Sequence, residues 1–347
     1  EEFPGVGSNR VYTVEPADNL ILVWYNDVAP GSGHEGVGEL HWWNDTVFYE
    51  IFVRSFNDSD GDGIGDFPGL TAKLDYLNDG KGGGLGVDAI WMSPFFTSPM
   101  ADFGYDVADY CDIDPIFGTM ADAEALIEAA HARGLKVMID LVFNHSSDQH
   151  PWFVKSRRSR DNAKADWYIW ADPKPDGSVP NNWLSFFGGS AWTWDETRQQ
   201  YYYHTFLKEQ PDLNWYQPQV RQALADIVRF WMKKGVNGFR FDVVNFFAYD
   251  RQLRDNPRVP DDQWSVHGDF NPYDRFETIY SKGVPEQWEC VEFLREVMDE
   301  GENITSVGEV GGIQSPEKLL EHAAEHVKYG KRLHMAYTFA MLTENAD

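Results

Sequence analysis

Three stretches of this sequence end an apolar run on polar residues able to do chemistry: DLVFNH with Asp140, Asn144 and His145, GFRFDVV with Arg240 and Asp242, and ITSVGEV with Glu309. Side chains two apart on a strand share a face, so Arg240 and Asp242 point the same way. A neighbouring guanidinium favours the ionised carboxylate by lowering its pKa. An ionised, fixed carboxylate is what a covalent nucleophile needs. Glu309 follows an apolar strand, a less polar setting that keeps a general acid protonated. Two carboxylates with opposite protonation needs are the minimum for retaining glycoside hydrolysis. The plain alternative is a structural Arg–Asp pair and an unrelated glutamate.

A second group is NDSDGDGIGDF, residues 57–67, with Asp58, Asp60, Asp62 and Asp66 set between glycines. Alternating aspartates supply the oxygen ligands that Ca²⁺ takes, and do not exclude Mg²⁺. Read as an EF-hand, Asp58, Asp60 and Asp62 occupy positions 1, 3 and 5, Gly63 makes the turn and Ile64 offers its carbonyl. Position 12 is then Gly69 rather than the bidentate Glu, and the upstream TVFYEIFVRSF is strand-like. A metal loop is expected; a helix–loop–helix sensor is not. Without a metal the same stretch is a solvated Asp/Gly turn.

The elements that must position these groups alternate. Strands are expected over 47–53, 86–92, 136–143, 238–244 and 304–310, with a sixth over 332–339. Helices are expected over 122–134, closed by Gly134, and over 218–235, where Val220, Leu224, Ile227, Val228 and Trp231 share a face. Such alternation implies a parallel sheet with crossovers. Polar residues at the C-terminal ends of successive parallel strands are the mark of a (β/α)8 TIM-barrel site. A doubly wound sheet also binds there, but no glycine-rich phosphate loop is seen beside a strand. The division expected is an N-terminal segment 1–40, β-like in RVYTVEPADNLILVWYND; a first barrel part 41–144; a Trp-, Pro- and Gly-rich inserted subdomain 145–212; and a second, incomplete barrel part 213–347.

The balance of 29 basic against 56 acidic residues leaves −27, which repels nucleic acid and anionic membranes and suits a neutral partner. No apolar run is long enough to span a bilayer. Two cysteines, Cys111 and Cys290, make no disulfide framework. With a small-substrate reading they point to the cytoplasm, although a chain beginning at Glu1 is also compatible with a removed signal peptide. The aromatic load, 15% of residues, fits a large core or stacking platforms for sugar faces.

From about His41 onward the chain resembles the α-amylase superfamily, glycoside hydrolase family thirteen. DLVFNH, GFRFDVVNF and GEV match its short regions. QPDLN (210–214), HWWNDTVFYEIFVRSFNDSDGDGIGDFPGL and SFFGGSAWTWDE resemble its oligo-1,6-glucosidase and α-glucosidase branch. The resemblance implies Asp242 as nucleophile and Glu309 as acid/base, with Arg240 orienting Asp242. It implies that His145 hydrogen-bonds the sugar, Tyr105 stacks on it, Asp102 holds its non-reducing end and Phe187 closes the pocket. Asp140 and Asn144 support the site. Asp58, Asp60, Asp62, Ile64 (by its carbonyl) and Asp66 would hold one structural Ca²⁺. Val243, after the nucleophile, occupies a position where Val accompanies acceptance of α-1,6 bonds; a β-branched residue chosen for its strand is the alternative.

The function so implied is an exo-acting, retaining α-glucosidase on short gluco-oligosaccharides, cleaving terminal α-1,6 and also α-1,4 bonds. The alternatives are a transglycosylase or isomerase of trehalose or isomaltulose synthase type, and a catalytically incomplete sugar-binding fragment. The family's third catalytic Asp, preceded by His, is not found in this sequence. Six strands leave an open barrel edge. Completion by a longer chain or a second polypeptide is therefore expected.

Overall fold

The computed structural model describes residues 22–25, 41–260, 272–311 and 316–339. In chain order the strands are β1 (Leu22–Tyr25), β2 (Phe48–Ile51), β3 (Ala89–Met92), β4 (Phe96–Thr97), β5 (Asp109–Ile113), β6 (Lys136–Leu141), β7 (Trp170–Ala171), β8 (Trp192–Asp195), β9 (Gln200–Tyr203), β10 (Gly238–Phe241), β11 (Thr305–Val310) and β12 (Met335–Thr338). The helices are α1 (Val53–Phe56), α2 (Phe67–Ala72), α3 (Leu74–Leu77), α4 (Met120–His131), α5 (Pro151–Ser156), α6 (Pro218–Lys233), α7 (Gln287–Met298) and α8 (Pro316–His326).

The main sheet runs β1-β12-β11-β10-β6-β3-β2. Its last six members pair in parallel, as βαβ crossovers require, and β1 alone lies antiparallel, beside β12. This is an incomplete (β/α)8 barrel with an open edge at β2. The period of two along each strand splits the side chains between two cores. Trp91, Met138, Val307, Met335 and Tyr337 face inward and pack with Trp43. Ile90, Met92, Val137, Ile139, Phe239, Phe241 and Val310 face outward, onto the helices. The same alternation sends Asp140, Arg240 and Glu309 to the inner face.

Local chemistry sets the helix ends. Thr119 and Asp122 form a reciprocal capping box at the start of α4. Beyond its last turn Gly134 takes φ +81°, which costs a glycine nothing. Pro218 opens α6, whose buried face carries Val220, Leu224, Ile227, Val228 and Trp231. Strands β7, β9 and β8 form a separate three-stranded antiparallel sheet within residues 145–212.

Several expected elements end early; the strand expected over 136–143 stops at Leu141 and the helix expected over 122–134 at His131. The strand expected over 47–53 stops at Ile51, and Val53–Phe56 turns into α1, which leads into the aspartate loop. The strand expected over 238–244 stops at Phe241. Val243 adopts φ +40°, an outlier for a β-branched residue, and a 3-10 turn, Val244–Phe246, follows. Of the N-terminal segment, Leu22–Tyr25 pairs antiparallel with β12 in the main sheet; the rest of residues 1–40 lies outside the described residues. Cys111 and Cys290 are free thiols. Among the described residues no helix is long and apolar enough to cross a membrane.

Candidate active site

Parallel register brings the inward side chains of β6, β10, β11 and β12 to one level. Asp140 lies opposite Arg240 across β6 and β10. Glu309 lies opposite Tyr337 across β11 and β12. Arg240 is the hub. Its Nη1 donates to both Asp140 oxygens at 2.8 Å and to Asp242 Oδ1 at 2.7 Å. Its Nη2 donates to Glu309 and, at 2.8 Å, to the Tyr337 hydroxyl, which also accepts from Nε at 3.1 Å. The guanidinium lies 5.2 Å from the Trp91 ring centroid and 5.9 Å from that of Tyr105.

Loss of water dominates the carboxylates here. Burial pushes Asp242 up to about 6, against the pull of Arg240. It pushes Asp140 up to about 6 in the same way. Glu309 rises to about 7 through burial, again opposed by Arg240. The adjacent arginine therefore does not hold Asp242 below the usual range, as the two-residue spacing led us to expect; desolvation outweighs it. The interaction between the two carboxyls lowers the aspartate and raises the glutamate, which favours Glu309 as the protonated member of the pair. Glu50 of β2 is also raised, by burial first and by the charge of Glu309, with Arg240 opposing. Four carboxylates thus look onto one guanidinium.

The other expected residues gather beside this hub. The Tyr105 hydroxyl donates to Asp140 Oδ2 at 3.3 Å. His145 is buried, which pushes its pKa down to about 3 and keeps it neutral. Its Nδ1 accepts from Asn144 at 3.2 Å, which leaves the proton on Nε2, 3.1 Å from the Tyr105 carbonyl. Asp102 Oδ2 accepts from Gln210 Nε2 at 2.8 Å. Asn144 also donates to Asp212, a carboxyl that burial raises to about 7. Phe187, 56% exposed, packs on Phe186 and Phe206, and the Phe206 ring lies 5.3 Å from His145. Val243 belongs to the same apolar cluster, with Phe206, Phe246 and Phe186.

Sequence reading missed Gln210, Asp212, Glu50 and Tyr337. The first two lie inside the quoted QPDLN, so the motif itself was the available signal. Tyr337 sits in the sixth strand expected over 332–339, from which no site residue was picked.

In the aspartate loop, carboxylate oxygens of Asp58, Asp60 and Asp66 lie within 4.8 Å of one another. Asp62 is not in that group; its Oδ1 accepts from the Ile64 amide at 2.7 Å. Gly61 and Gly63, at φ +87° and +91°, turn the backbone so that their amides reach Asp58. Those hydrogen bonds, Gly61 first, hold Asp58 below the usual range. A close set of ionised oxygen donors fits a hard cation such as Ca²⁺.

A barrel with these carboxylates at its strand ends defines a class. Residues 50–346 match the family described as "Alpha amylase, catalytic domain", and the chain belongs to it. It is 56% identical over 303 residues to the "Probable alpha-glucosidase" of Rhizobium meliloti (strain 1021), covering 87% of this chain and 54% of that protein. It is 55% identical over 203 residues to the "Oligo-1,6-glucosidase" of Heyndrickxia coagulans, covering 58% of this chain and 36% of that one. Among solved structures, the α-glucosyl transfer enzyme XgtA aligns with a TM-score of 0.80 at 51% identity, over 86% of this chain and 54% of that chain. The trehalulose synthase MutB aligns at 0.73 and 41%, over 86% and 50%. The chain thus spans about half the length of relatives such as the Rhizobium protein.

Proposed function

We propose that this chain carries the nucleophile and the acid/base of a retaining α-glucosidase that removes terminal glucose from short gluco-oligosaccharides, with α-1,6 bonds accepted and α-1,4 bonds as further substrates. The observation that carries the reading is the pair Asp242 and Glu309. They share one guanidinium, and burial raises both carboxyls, Glu309 to about 7 and Asp242 to about 6. An ionisable carboxylate beside a second carboxyl held in its protonated form is the pair that a retaining glycosidase uses.

In this reading Asp242 attacks the anomeric carbon while Glu309 gives its proton to the departing glycosidic oxygen. Glu309, now ionised, then takes a proton from the water that releases glucose from Asp242. Arg240 holds Asp242 in line and stabilises its charge. Asp102, fixed by Gln210, and neutral His145 bind glucose hydroxyls. Tyr105 offers its ring face. Val243, Phe206 and Phe187 shape the apolar rim. The remaining barrel strands and a third carboxylate would come from further polypeptide, in the same chain or in a second one. A Ca²⁺ ion on Asp58, Asp60 and Asp66, with the Ile64 carbonyl and Asp62 as further ligands, would have a structural role.

The similarity to an α-glucosyl transfer enzyme and to a trehalulose synthase supports a second reading, transfer of glucose to another sugar. The same two carboxylates serve both. The test is the product formed from isomaltose and maltose by the completed enzyme. Free glucose released first as the α-anomer supports hydrolysis with retention, and a new disaccharide supports transfer. Asp242→Asn should lower turnover by about 10⁴-fold or more, as loss of a nucleophile does. Turnover that survives in that variant rejects both readings.

A further inference from the structure

The guanidinium of Arg240 has five N–H groups, and the structure accounts for all of them. One Nη1 proton goes to Asp140 and one to Asp242. One Nη2 proton goes to Glu309. The other Nη2 proton and the Nε proton both go to Tyr337, at 2.8 and 3.1 Å. The edge of the guanidinium best shaped to grip a carboxylate with two parallel bonds, Nε with Nη2, is therefore spent on a neutral phenol. Glu309 stands beside that edge, opposite Tyr337 in the strand register. It is left with Nη2 alone.

We propose that Tyr337 is a positioning residue that occupies this edge of Arg240 and so denies Glu309 the two-bonded ion pair that would keep it ionised. The phenol suits this place in two ways. It accepts two N–H bonds without adding charge to a face that already sets Asp140, Asp242, Glu309 and Glu50 against one cation. Its ring is anchored across the barrel interior, with its centroid 6.0 Å from that of Trp91 on β3. Burial and the charges of Glu309 and Asp140 hold the phenol well above its ordinary range, so it stays protonated and neutral. The groups facing Glu309 are Arg240 from β10, Asp242 just past its end, Tyr337 from β12, Asp140 from β6, Glu50 from β2 and Tyr105. Of these, Tyr337 is the neutral group that accepts hydrogen bonds from Arg240, so its removal takes away no charge.

The consequence for catalysis rests on the glucosidase reading, but the direct test does not. Glutamate labelled with ¹³C at the side-chain carboxyl is incorporated into the chain, and the Glu309 resonance is assigned by its loss in Glu309→Gln. In Tyr337→Phe the freed Nε and Nη2 protons turn to Glu309. Its titration midpoint should fall by about one pH unit, the lower end of what a close cation does to a carboxyl. Tyr337→Gln, whose amide oxygen is a neutral acceptor, should return the midpoint towards that of the parent. An unchanged midpoint in Tyr337→Phe overturns the inference, as does the same shift in both variants. Should Tyr337→Phe fail to fold, 3-fluorotyrosine at position 337 weakens the acceptor at nearly constant shape, and an unchanged midpoint there overturns it equally. In a catalytically completed enzyme, Tyr337→Phe should move the alkaline limb of the kcat profile to lower pH. At pH 7, kcat should drop about fivefold, as the protonated fraction of Glu309 falls from about one half to about one tenth, with KM held. A drop in activity with an unmoved pH profile would mark Tyr337 as structural only.

Discussion

The loop from Asp58 to Asp66 and the inner barrel face from Asp140 to Glu309 both gather carboxylates, but they rest them on different partners. In the loop the donors are backbone amides, freed by glycines at positive φ. Asp58 alone accepts from Asp60, Gly61 and Gly63. Asp66 loses water to burial, yet the bonds from Ser59 and Gly69 outweigh that and hold it low. Inside the barrel the one cation among the described facing groups is Arg240, two of whose five protons go to Tyr337. Burial raises Asp140, Asp242 and Glu309, and this one guanidinium does not offset it. The ratio of donors to carboxylates, with access to water, decides the outcome. The loop keeps its charge, which suits a cation. The barrel face keeps a proton, which suits acid catalysis.

Removing the hub should break this contrast most strongly. Arg240→Met leaves Asp140, Asp242 and Glu309 buried together with no cation. Taking one partner from a buried ion pair costs about 3–5 kcal/mol, because the other charge stays unpaid for in low dielectric. At pH 8, where holding extra protons is also unfavourable, unfolding by urea should show a loss of that size. A loss below about 1 kcal/mol would mean that water already reaches these carboxylates through the open edge at β2, and the burial argument would fall.

The loop is probed by what it binds. If Asp58, Asp60 and Asp66 take Ca²⁺, a saturating excess of about 100 times Kd stabilises the fold by about 2.7 kcal/mol. Chelation should then lower the melting temperature, and Ca²⁺ should restore it. In Asp58→Asn the response to Ca²⁺ should largely vanish, while the carboxyl titrations of the barrel face stay where they were. Equal responses in parent and variant would reject the loop as the site.

How much of this the sequence disclosed depends on the range of the interaction. Asp242 and Glu309 could be picked out because each closes an apolar run, and because residues two apart on a strand share a face. Helix α6 was legible from its 3.6 periodicity. The ends of the strands at Ile51 and Phe241 were not, since VFYEIFV and GFRFDVV keep β-like residues past the point where the chain turns. At Val243 the tertiary setting imposes φ +40° on a residue type that avoids it. The contacts that give the site its character span the chain: Arg240 to Tyr337 crosses 97 positions and Gln210 to Asp102 crosses 108. The sign of the Asp242 shift was misjudged for the same reason. An adjacent arginine is visible in a sequence, whereas the loss of water that outweighs it is a property of the packed sheet.

The smallest effect expected is also the one that separates the two regions by sign. A carboxyl raised on folding adds stability that is fully present below its unfolded pKa and is lost as pH rises through the folded value. For Glu309 that window runs from its ordinary 4.5 up to about 7. A carboxyl lowered on folding does the reverse, and Asp58 gives stability above its ordinary 3.8 that is lost as pH falls through its depressed value. Urea midpoints measured from pH 3 to pH 8 should therefore respond oppositely to two neutralising changes. Glu309→Gln should flatten the decline between pH 4.5 and 7. Asp58→Asn should leave that window alone and reduce only the acid-side loss below pH 4. If Glu309→Gln leaves the neutral slope as it was, Glu309 carries no raised pKa in the folded chain. The proton that the proposed mechanism takes from it would then have to reside on Asp140 or Asp242.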